Sequence, residues 1–101
     1  MSGRAGLRHE DVARAVGVSV RTISRWAQGT TGPQGAARER LLGLAAVVNQ
    51  LSKVLQRDAA EAWFLTPNPL LDFDLPIDLI KAGEYKRVLA AIEGLEDGIF
   101  I

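Results

Sequence analysis

Glycine and proline residues interrupt this chain repeatedly, and the segments between them place apolar residues three and four positions apart. That spacing puts apolar side chains on one face of an α-helix, whereas a half-buried strand needs strict alternation. The few alternating stretches, such as GVSVRTI, are short and lie between helical segments. The sequence therefore predicts an all-α fold without strands. The interrupting residues are Gly17, Gly29, Gly32, Pro33, Gly35, Pro67, Pro69, Pro76 and Gly83.

The longest segment predicts a central helix from Ala36 to Leu55. Its apolar seam recurs three or four residues apart, at Leu41, Leu44, Val48, Leu51 and Leu55. Further apolar residues widen the seam at Leu42, Ala45, Val47 and Val54, leaving a narrow polar face at Asn49, Gln50, Lys53 and Gln56. One small lobe buries less apolar surface than this, so we expect both ends of the chain to pack on the helix. A second subunit is the alternative occupant of the seam.

The formal net charge of zero hides two halves of opposite sign. Residues 1–40 contain seven arginines and three acidic residues, whereas residues 41–101 contain five basic and nine acidic residues. We therefore expect the two halves to bind different partners. The absence of cysteine excludes disulfides and thiolate metal sites. No apolar run has the length of a membrane span or signal peptide, so we expect a cytoplasmic protein.

Residues 9–29 have the spacing of two short helices joined by a tight turn. Ala13 supplies the small side chain that two crossing helices need at their contact, and Gly17 supplies a turn residue that tolerates positive φ. Ser19 is a typical N-cap, which fixes where the second helix begins. The apolar side chains expected to fill the angle between the helices are Val18, Ile23 and Trp26.

The outer face of the second helix carries side chains suited to the major groove of DNA. Arginine there can form paired hydrogen bonds with guanine, hydroxyl groups suit phosphate oxygens or base edges, and a valine can touch a thymine methyl group. The predicted DNA-binding residues are Ser19, Val20, Arg21, Thr22, Ser24 and Arg25. We expect Arg14 to add positive charge near this surface.

The same segment resembles the helix-turn-helix of Xre-type repressors over residues 9–29, especially in GVSVRTISRW. The resemblance implies a DNA-binding lobe, with a plain packing unit as the alternative. Such lobes usually have a preceding helix that closes the core, and only MSGRAGLR precedes this motif. We therefore expect a lobe that is truncated or completed by another surface.

The C-terminal residues 57–101 predict two short helices and then a longer amphipathic one. Trp63 and Phe64 are expected to anchor the core of this part. Two closely spaced prolines then force a turn, after which Leu70 and Leu71 are expected to return to the apolar interior.

Residues typical of helix ends mark the remaining boundaries. Pro76 suits the first turn of a helix, Asp78 favours the positive end of that helix dipole, and Gly83 suits a left-handed position at its end. The final helix is predicted to start at Glu84 and to end near the cap Gly98. Its apolar stripe is Tyr85, Val88, Leu89, Ile92 and Leu95.

The C-terminal block resembles the toxin-binding domain of the Xre/MbcA/ParS antitoxin family, and with the helix-turn-helix the likeness spans nearly the whole chain. The residues that carry it are Ala62, Trp63, Thr66, Pro67, Asn68, Leu71, Pro76, Asp78, Leu79, Gly83, Glu84, Val88, Leu89 and Gly98. The resemblance implies a partner, a RES-domain toxin that consumes NAD. It further implies that the antitoxin covers or enters the toxin's active site and binds operator DNA to regulate its own synthesis.

The last four residues are the predicted toxin-binding segment: Gly98, Ile99, Phe100 and Ile101. An apolar tripeptide after a glycine cap either folds back onto its own core or projects into a neighbouring cavity, and the resemblance favours insertion into the toxin. There, Phe100 would bury apolar surface and the terminal carboxylate would meet cationic groups.

We divide the chain into a helix-turn-helix lobe at residues 1–33, a central helix at 34–56 and a toxin-binding domain at 57–101. A dimer or a higher hetero-oligomer with the toxin is expected. We expect no enzyme activity, metal or cofactor, because His9 lacks a catalytic partner and there is no glycine-rich phosphate loop. Asp72 and Asp74 are expected to be solvated turn residues.

Two other functions stay open at this point. One is a stand-alone Xre-type repressor whose C-terminal lobe dimerises or senses a small ligand. The other is a protein-binding module with a degenerate helix-turn-helix, which would show no salt-sensitive binding to duplex DNA.

Overall fold

The computed structural model describes residues 7–96. Every regular element in that range is helical, which confirms the predicted all-α fold class. No helix within the range is both long and apolar enough to cross a membrane. The elements, in chain order, are α1 (His9–Val16), α2 (Val20–Ala27), α3 (Gly35–Leu51), α4 (Arg57–Phe64), a 3₁₀ helix (Pro69–Leu71), α5 (Pro76–Lys81) and α6 (Tyr85–Glu96).

The turn between α1 and α2 forms as the sequence predicts. Gly17 has φ +85°, and its N–H donates a 2.8 Å hydrogen bond to the carbonyl of Ala13. Ser19 is extended, and its hydroxyl accepts a 3.1 Å hydrogen bond from the N–H of Thr22. This bond satisfies one of the free donors in the first turn of α2. Local side-chain and backbone chemistry thus sets the direction in which α2 leaves the turn.

The central helix α3 ends four residues before the predicted position. After Leu51 the backbone tightens, because the N–H of Lys53 donates to the carbonyl of Gln50 and that of Val54 to Leu51. Leu55 still donates to the carbonyl of Leu51 at 2.9 Å. The apolar spacing therefore continues through a turn that is no longer α-helical. For this reason the spacing predicts a helix longer than the observed one.

The buried face of α3 is narrower than the predicted seam. Its buried residues are Gly43, Leu44, Val47 and Leu51. Leu42, expected to widen the apolar face, is instead 58% exposed, so that expectation is wrong. Periodicity locates the apolar side chains on the helix, but the neighbouring helices decide which of them are covered. At Gly43 an added Cβ would lie 2.8 Å from the ring of Tyr85, so α6 crosses α3 closely there.

Helix α5 from the C-terminal half covers α1, the first helix of the N-terminal pair. Helix α1 packs against α2, α3 and α5, and α3 in turn packs against α6. The core that results is continuous and includes Ala15 of α1 together with Ile77 and Ile80 of α5, all fully buried. A surface from the C-terminal half thus covers α1 of the helix-turn-helix, which agrees with the expectation that another surface completes this lobe.

An ion pair on the surface joins α1 to α5. Arg14 donates two hydrogen bonds to Asp78, from Nε to Oδ1 and from Nη2 to Oδ2, each 3.0 Å long. The side chain of Arg40 also donates to the backbone carbonyl of Lys81 at the end of α5. Asp78 therefore does more than favour the helix dipole, because it also fixes α5 against α1.

The C-terminal half has the predicted anchor but not the predicted return of both leucines. Phe64 is completely buried, Leu71 is almost so, and Trp63 packs edge-on against Phe64 with ring centroids 5.7 Å apart. Leu70 is 45% exposed, so only Leu71 returns to the interior and the expectation for Leu70 is wrong. The 3₁₀ geometry explains this, because three residues per turn direct neighbouring side chains to different sides.

The last two boundaries follow their sequence signals. Gly83, just after α5, has φ +84°, and the next N–H, that of Glu84, donates to the carbonyl of Leu79 at 2.8 Å. In α6 the buried side chains include Val88 and Ile92. The predicted cap Gly98 lies outside the described residues.

Candidate functional site

Helix α2 presents the predicted DNA-binding residues at the surface. Ser19, Arg21 and Arg25 are exposed, Val20 is 45% exposed, and Thr22 and Ser24 are half-buried. Ile23 is buried and fixes the opposite face of α2. Since Arg21 and Arg25 are four residues apart, they share one face of the helix. The structure therefore brings the two cations to a single outward surface.

The two arginines on this surface are not in ion pairs within residues 7–96. Arg14 behaves differently, because its guanidinium is engaged by Asp78 across two hydrogen bonds. The charge that Arg14 was expected to add near this surface is therefore offset by Asp78. The cationic character of the α2 face rests on Arg21 and Arg25.

The hydroxyl groups near the start of α2 are already partly occupied. Ser19 Oγ accepts from the Thr22 N–H and lies 3.0 Å from Thr22 Oγ1. The sequence signal identified Ser19 as a cap but did not indicate that Thr22 would join it. Each hydroxyl can still make one further hydrogen bond, which suits a phosphate oxygen better than paired recognition of a base.

Acidic groups from both halves meet where α4 approaches the start of α1. Glu61 Oε2 lies 3.7 Å from Arg8 Nε. The carboxyl of the nearby Asp11 is buried and accepts a 3.1 Å hydrogen bond from the backbone N–H of Arg8. Hydrogen bonding with Asp11, followed by desolvation, raises the pKa of Glu61 above its ordinary value. This junction therefore links α4 to α1.

The predicted toxin-binding residues Gly98, Ile99, Phe100 and Ile101 lie outside the described residues. Helix α6 ends at Glu96, and its Leu95 lines an apolar groove of about 440 Å³ together with Leu55 and Trp63. The indole N–H of Trp63 is buried without a hydrogen-bond partner in the part of the chain that the structure describes. The groove therefore lies beside the C-terminal end of α6.

Asp72 and Asp74 lie in the loop between the 3₁₀ helix and α5. Both are exposed, and Asp72 Oδ2 lies 3.5 Å from Arg87 Nη2. Within residues 7–96 there is no group of three or more histidine, cysteine or acidic residues placed to hold a metal ion. Sequence reasoning missed Phe73, which lies between these two aspartates and is the most exposed large apolar side chain of the described range. Alternation of acidic and aromatic residues in a loop was the available signal.

Comparisons with known proteins agree with this architecture. The helix-turn-helix domain family matches residues 3–62. The mycobacterial cidal antitoxin MbcA of Mycobacterium bovis is 43% identical over 98 residues, which cover 97% of this chain and 87% of that protein. MbcA of Mycobacterium tuberculosis matches to the same extent.

A solved structure extends the likeness to the fold. The crystal structure of the Mycobacterium tuberculosis MbcT–MbcA toxin–antitoxin complex contains a chain that matches with a TM-score of 0.86 and 43% identity. The match covers 97% of this chain and 88% of that one. On sequence and fold together, the chain belongs to the MbcA antitoxin family, and its residues 3–62 belong to the helix-turn-helix domain family.

Proposed function

We propose that this chain is a non-enzymatic antitoxin that binds and neutralises a cognate toxin and binds operator DNA to regulate its own synthesis. The observation that carries the proposal is its likeness to MbcA over nearly its whole length, in sequence and in fold. That relative was crystallised as part of a toxin–antitoxin complex. The family resemblance in the sequence further suggests a RES-domain toxin that consumes NAD.

The outward face of α2 supports the DNA-binding part of the proposal. Arg21 and Arg25 are exposed on one side of a helix whose other side is held by the buried Ile23. A rigid helix with two arginines one turn apart can enter a major groove and bond guanine edges or adjacent phosphates. In this role the protein would act in the cytoplasm, where its operator DNA lies.

The terminal segment provides the proposed inhibitory contact. Ile99 and Phe100 would enter the toxin's active-site cleft, and the carboxylate of Ile101 would pair with cationic groups that otherwise hold a cofactor phosphate. Apolar burial and a charge-assisted contact would then act together at the end of a single chain. By this account the antitoxin blocks its toxin by occupying the site.

Deletion of residues 99–101 tests this contact. The shortened protein should keep the melting temperature of the full chain but inhibit the NAD consumption of the toxin encoded beside it poorly. A control with serines at positions 99, 100 and 101 keeps the length and the terminal carboxylate, so it separates apolar burial from charge. Complete inhibition by the shortened protein would refute the proposed contact.

The same preparation tests the broader assignment. Co-expression with the neighbouring reading frame should yield a stoichiometric complex. A lone dimer that binds its operator with full affinity would instead favour a stand-alone repressor. Loss of NAD consumption on complex formation would identify the toxin's chemistry.

A further inference from the structure

The loop of residues 68–74, here called the Phe73 loop, exposes an aromatic side chain. Phe73 is 69% exposed, more than any other large apolar residue of the described range. Full burial of such a ring would be favourable, so its exposure leaves apolar surface without cover in the free chain. A single exposed apolar residue is ordinary on a protein surface, so exposure alone does not make Phe73 a binding residue.

The backbone of the Phe73 loop adopts a conformation that phenylalanine rarely has. Asp72 has φ +56° and Phe73 has φ +67°, and these are the only non-glycine residues with positive φ between residues 7 and 96. Aspartate tolerates the left-handed region, whereas a bulky residue there is a genuine outlier. Such strained positions persist only where surrounding contacts enforce them, and they cluster at binding sites.

Asn68 supplies the contacts that hold this conformation. Asn68 is buried, and its carbonyl accepts hydrogen bonds from the N–H groups of Leu71 and Phe73, both 2.8 Å long. Its side-chain Oδ1 accepts from the N–H of Leu70 at 2.8 Å, and its own N–H donates to the carbonyl of Asp74 at 3.2 Å. One buried residue therefore closes the whole loop on itself.

Buried residues on either side keep the ring from folding back. Leu71 precedes the strained pair and is 1% exposed, and Pro76 begins α5 and is fully buried. With both ends fixed in the core, the left-handed backbone directs Phe73 away from it. The loop thus holds an aromatic side chain in solvent on a strained backbone.

Charge narrows the kind of partner that can cover this ring. Asp72 and Asp74 flank Phe73, and both carboxylates are exposed, with Asp72 in an ion pair with Arg87 at 3.5 Å. Acidic side chains next to the ring repel a phosphate backbone, which disfavours nucleic acid as the occupant. A protein surface with an apolar pocket bordered by lysine or arginine complements both features.

We propose that the Phe73 loop is a docking point for the cognate toxin, with Phe73 inserted into an apolar pocket rimmed by basic side chains. This inference rests on the proposed antitoxin function and adds a contact separate from the C-terminal segment. The pocket recognises the ring, and the two aspartates steer and orient the approach. The strain is present before binding, so no ordering of the loop is needed when the toxin arrives.

Two substitutions at one position separate docking from folding. Phe73→Gly and Phe73→Asn both remove the ring but suit a left-handed backbone. The melting temperature of the full chain should stay the same or rise in Phe73→Gly, because the strain is relieved. The dissociation constant for the purified toxin encoded beside this chain should rise about tenfold or more in both variants, as for loss of an interface anchor.

Matched variants show whether the effect belongs to this loop. Leu42→Asn removes a similarly exposed apolar side chain from α3 and should change toxin affinity by less than about threefold, the ordinary result for a residue that is not an anchor. Asp74→Asn keeps the backbone hydrogen bond to Asn68 and should slow association, with a weaker dependence on salt. Operator binding should be unchanged in all four variants.

Several results would overturn the inference. Unchanged toxin affinity in both Phe73 variants would do so, as would an equal loss in Leu42→Asn. A lower melting temperature in Phe73→Gly would place the ring's role inside this chain's own fold, and loss of a self-dimer in Phe73→Asn would assign the loop to a second copy. If the unaltered chain fails to bind the toxin, the proposed antitoxin function is wrong as well. If the unaltered chain binds the toxin and the Phe73 variants bind it equally well, only the docking inference is wrong.

Discussion

The exposed face of α2 and the Phe73 loop are both held outward by a buried neighbour, but they present opposite chemistry. On α2 the arginines lie on a regular helix whose Ser19 cap leaves the backbone unstrained. In the Phe73 loop an aromatic ring between two carboxylates is held on a left-handed backbone closed by Asn68. Under the proposed function, a regular helix is sufficient to meet a DNA duplex, whereas a specific protein pocket requires a loop with an unusual backbone.

The separation between these regions is functional and does not extend to the core. Helix α5 covers α1, and Ala15, Ile77 and Ile80 share one continuous buried cluster. Substitutions in the core should therefore affect both regions, and substitutions at either surface should affect only one.

The largest effect is expected from Phe64→Ala. Phe64 is completely buried, so its removal should cost about 3–5 kcal/mol of the free energy of unfolding. That is a large share of the about 5–15 kcal/mol typical of a small domain, so toxin binding and operator binding should fall together. Chemical denaturation of the variant measures the loss. The control Leu65→Ala, at a half-exposed neighbouring position, should lose much less. A variant that lost only toxin binding while keeping its stability would contradict the dependence of both surfaces on one core.

A smaller and one-sided effect is expected from Arg21→Ala and Arg25→Ala. Each should weaken operator binding by about 1–3 kcal/mol for a genuine paired contact with a base. Toxin neutralisation should be unaffected. Fluorescence anisotropy with the duplex upstream of the gene, at fixed salt, measures the change. Arg57→Ala, which removes an exposed arginine from α4, is the charge-matched control. Equal weakening of operator binding by all three substitutions would mean that the α2 arginines contribute only general electrostatic attraction.

The smallest effect is expected from Glu61→Gln at the contact between α4 and α1. The pKa of Glu61 is raised in the folded chain, so its protonated form adds stability at low pH that is lost as pH rises above about 4.3, the ordinary value. Near neutral pH the ionised side chain of Glu61 is repelled by the carboxylate of Asp11. Glutamine removes this repulsion but also loses the attraction to Arg8, so the net gain in stability is small. The melting temperature should rise slightly at pH 7 and lose its gain on acidification. With Glu93→Gln as the control for charge loss alone, an identical pH profile in both variants would contradict the role of this contact.

Much of the fold could be predicted because its signals are local. Gly17, Ser19 and Gly83 act through their own backbone or hydroxyl groups, and each takes the predicted role. The end of α3 could not be predicted, since Leu55 keeps its helical spacing through a tighter turn. Leu42 and Leu70 illustrate the same limit, because an apolar residue does not reveal which side of its element a neighbour will cover.

The candidate sites divide in the same way. The face of α2 follows from helix periodicity once Ser19 fixes its start, so the exposed arginines could be named in advance. The engagement of Arg14 by Asp78 could not, because 64 positions separate them and only the packing of α5 on α1 brings them together. Phe73 could not be identified from the sequence, because the hydrogen bonds of Asn68 impose its left-handed backbone and phenylalanine itself does not favour that conformation.

The packing of α5 over α1 has a consequence for turnover of the protein. A protease that cut the exposed turn at residues 52–54 would break the covalent link between α1 and α5, and dissociation of the two fragments would leave Ala15 in contact with water. Under the proposed function, one cleavage would then end transcriptional repression and release the toxin in the same event, so the cell could not degrade the inhibitor and keep the repressor.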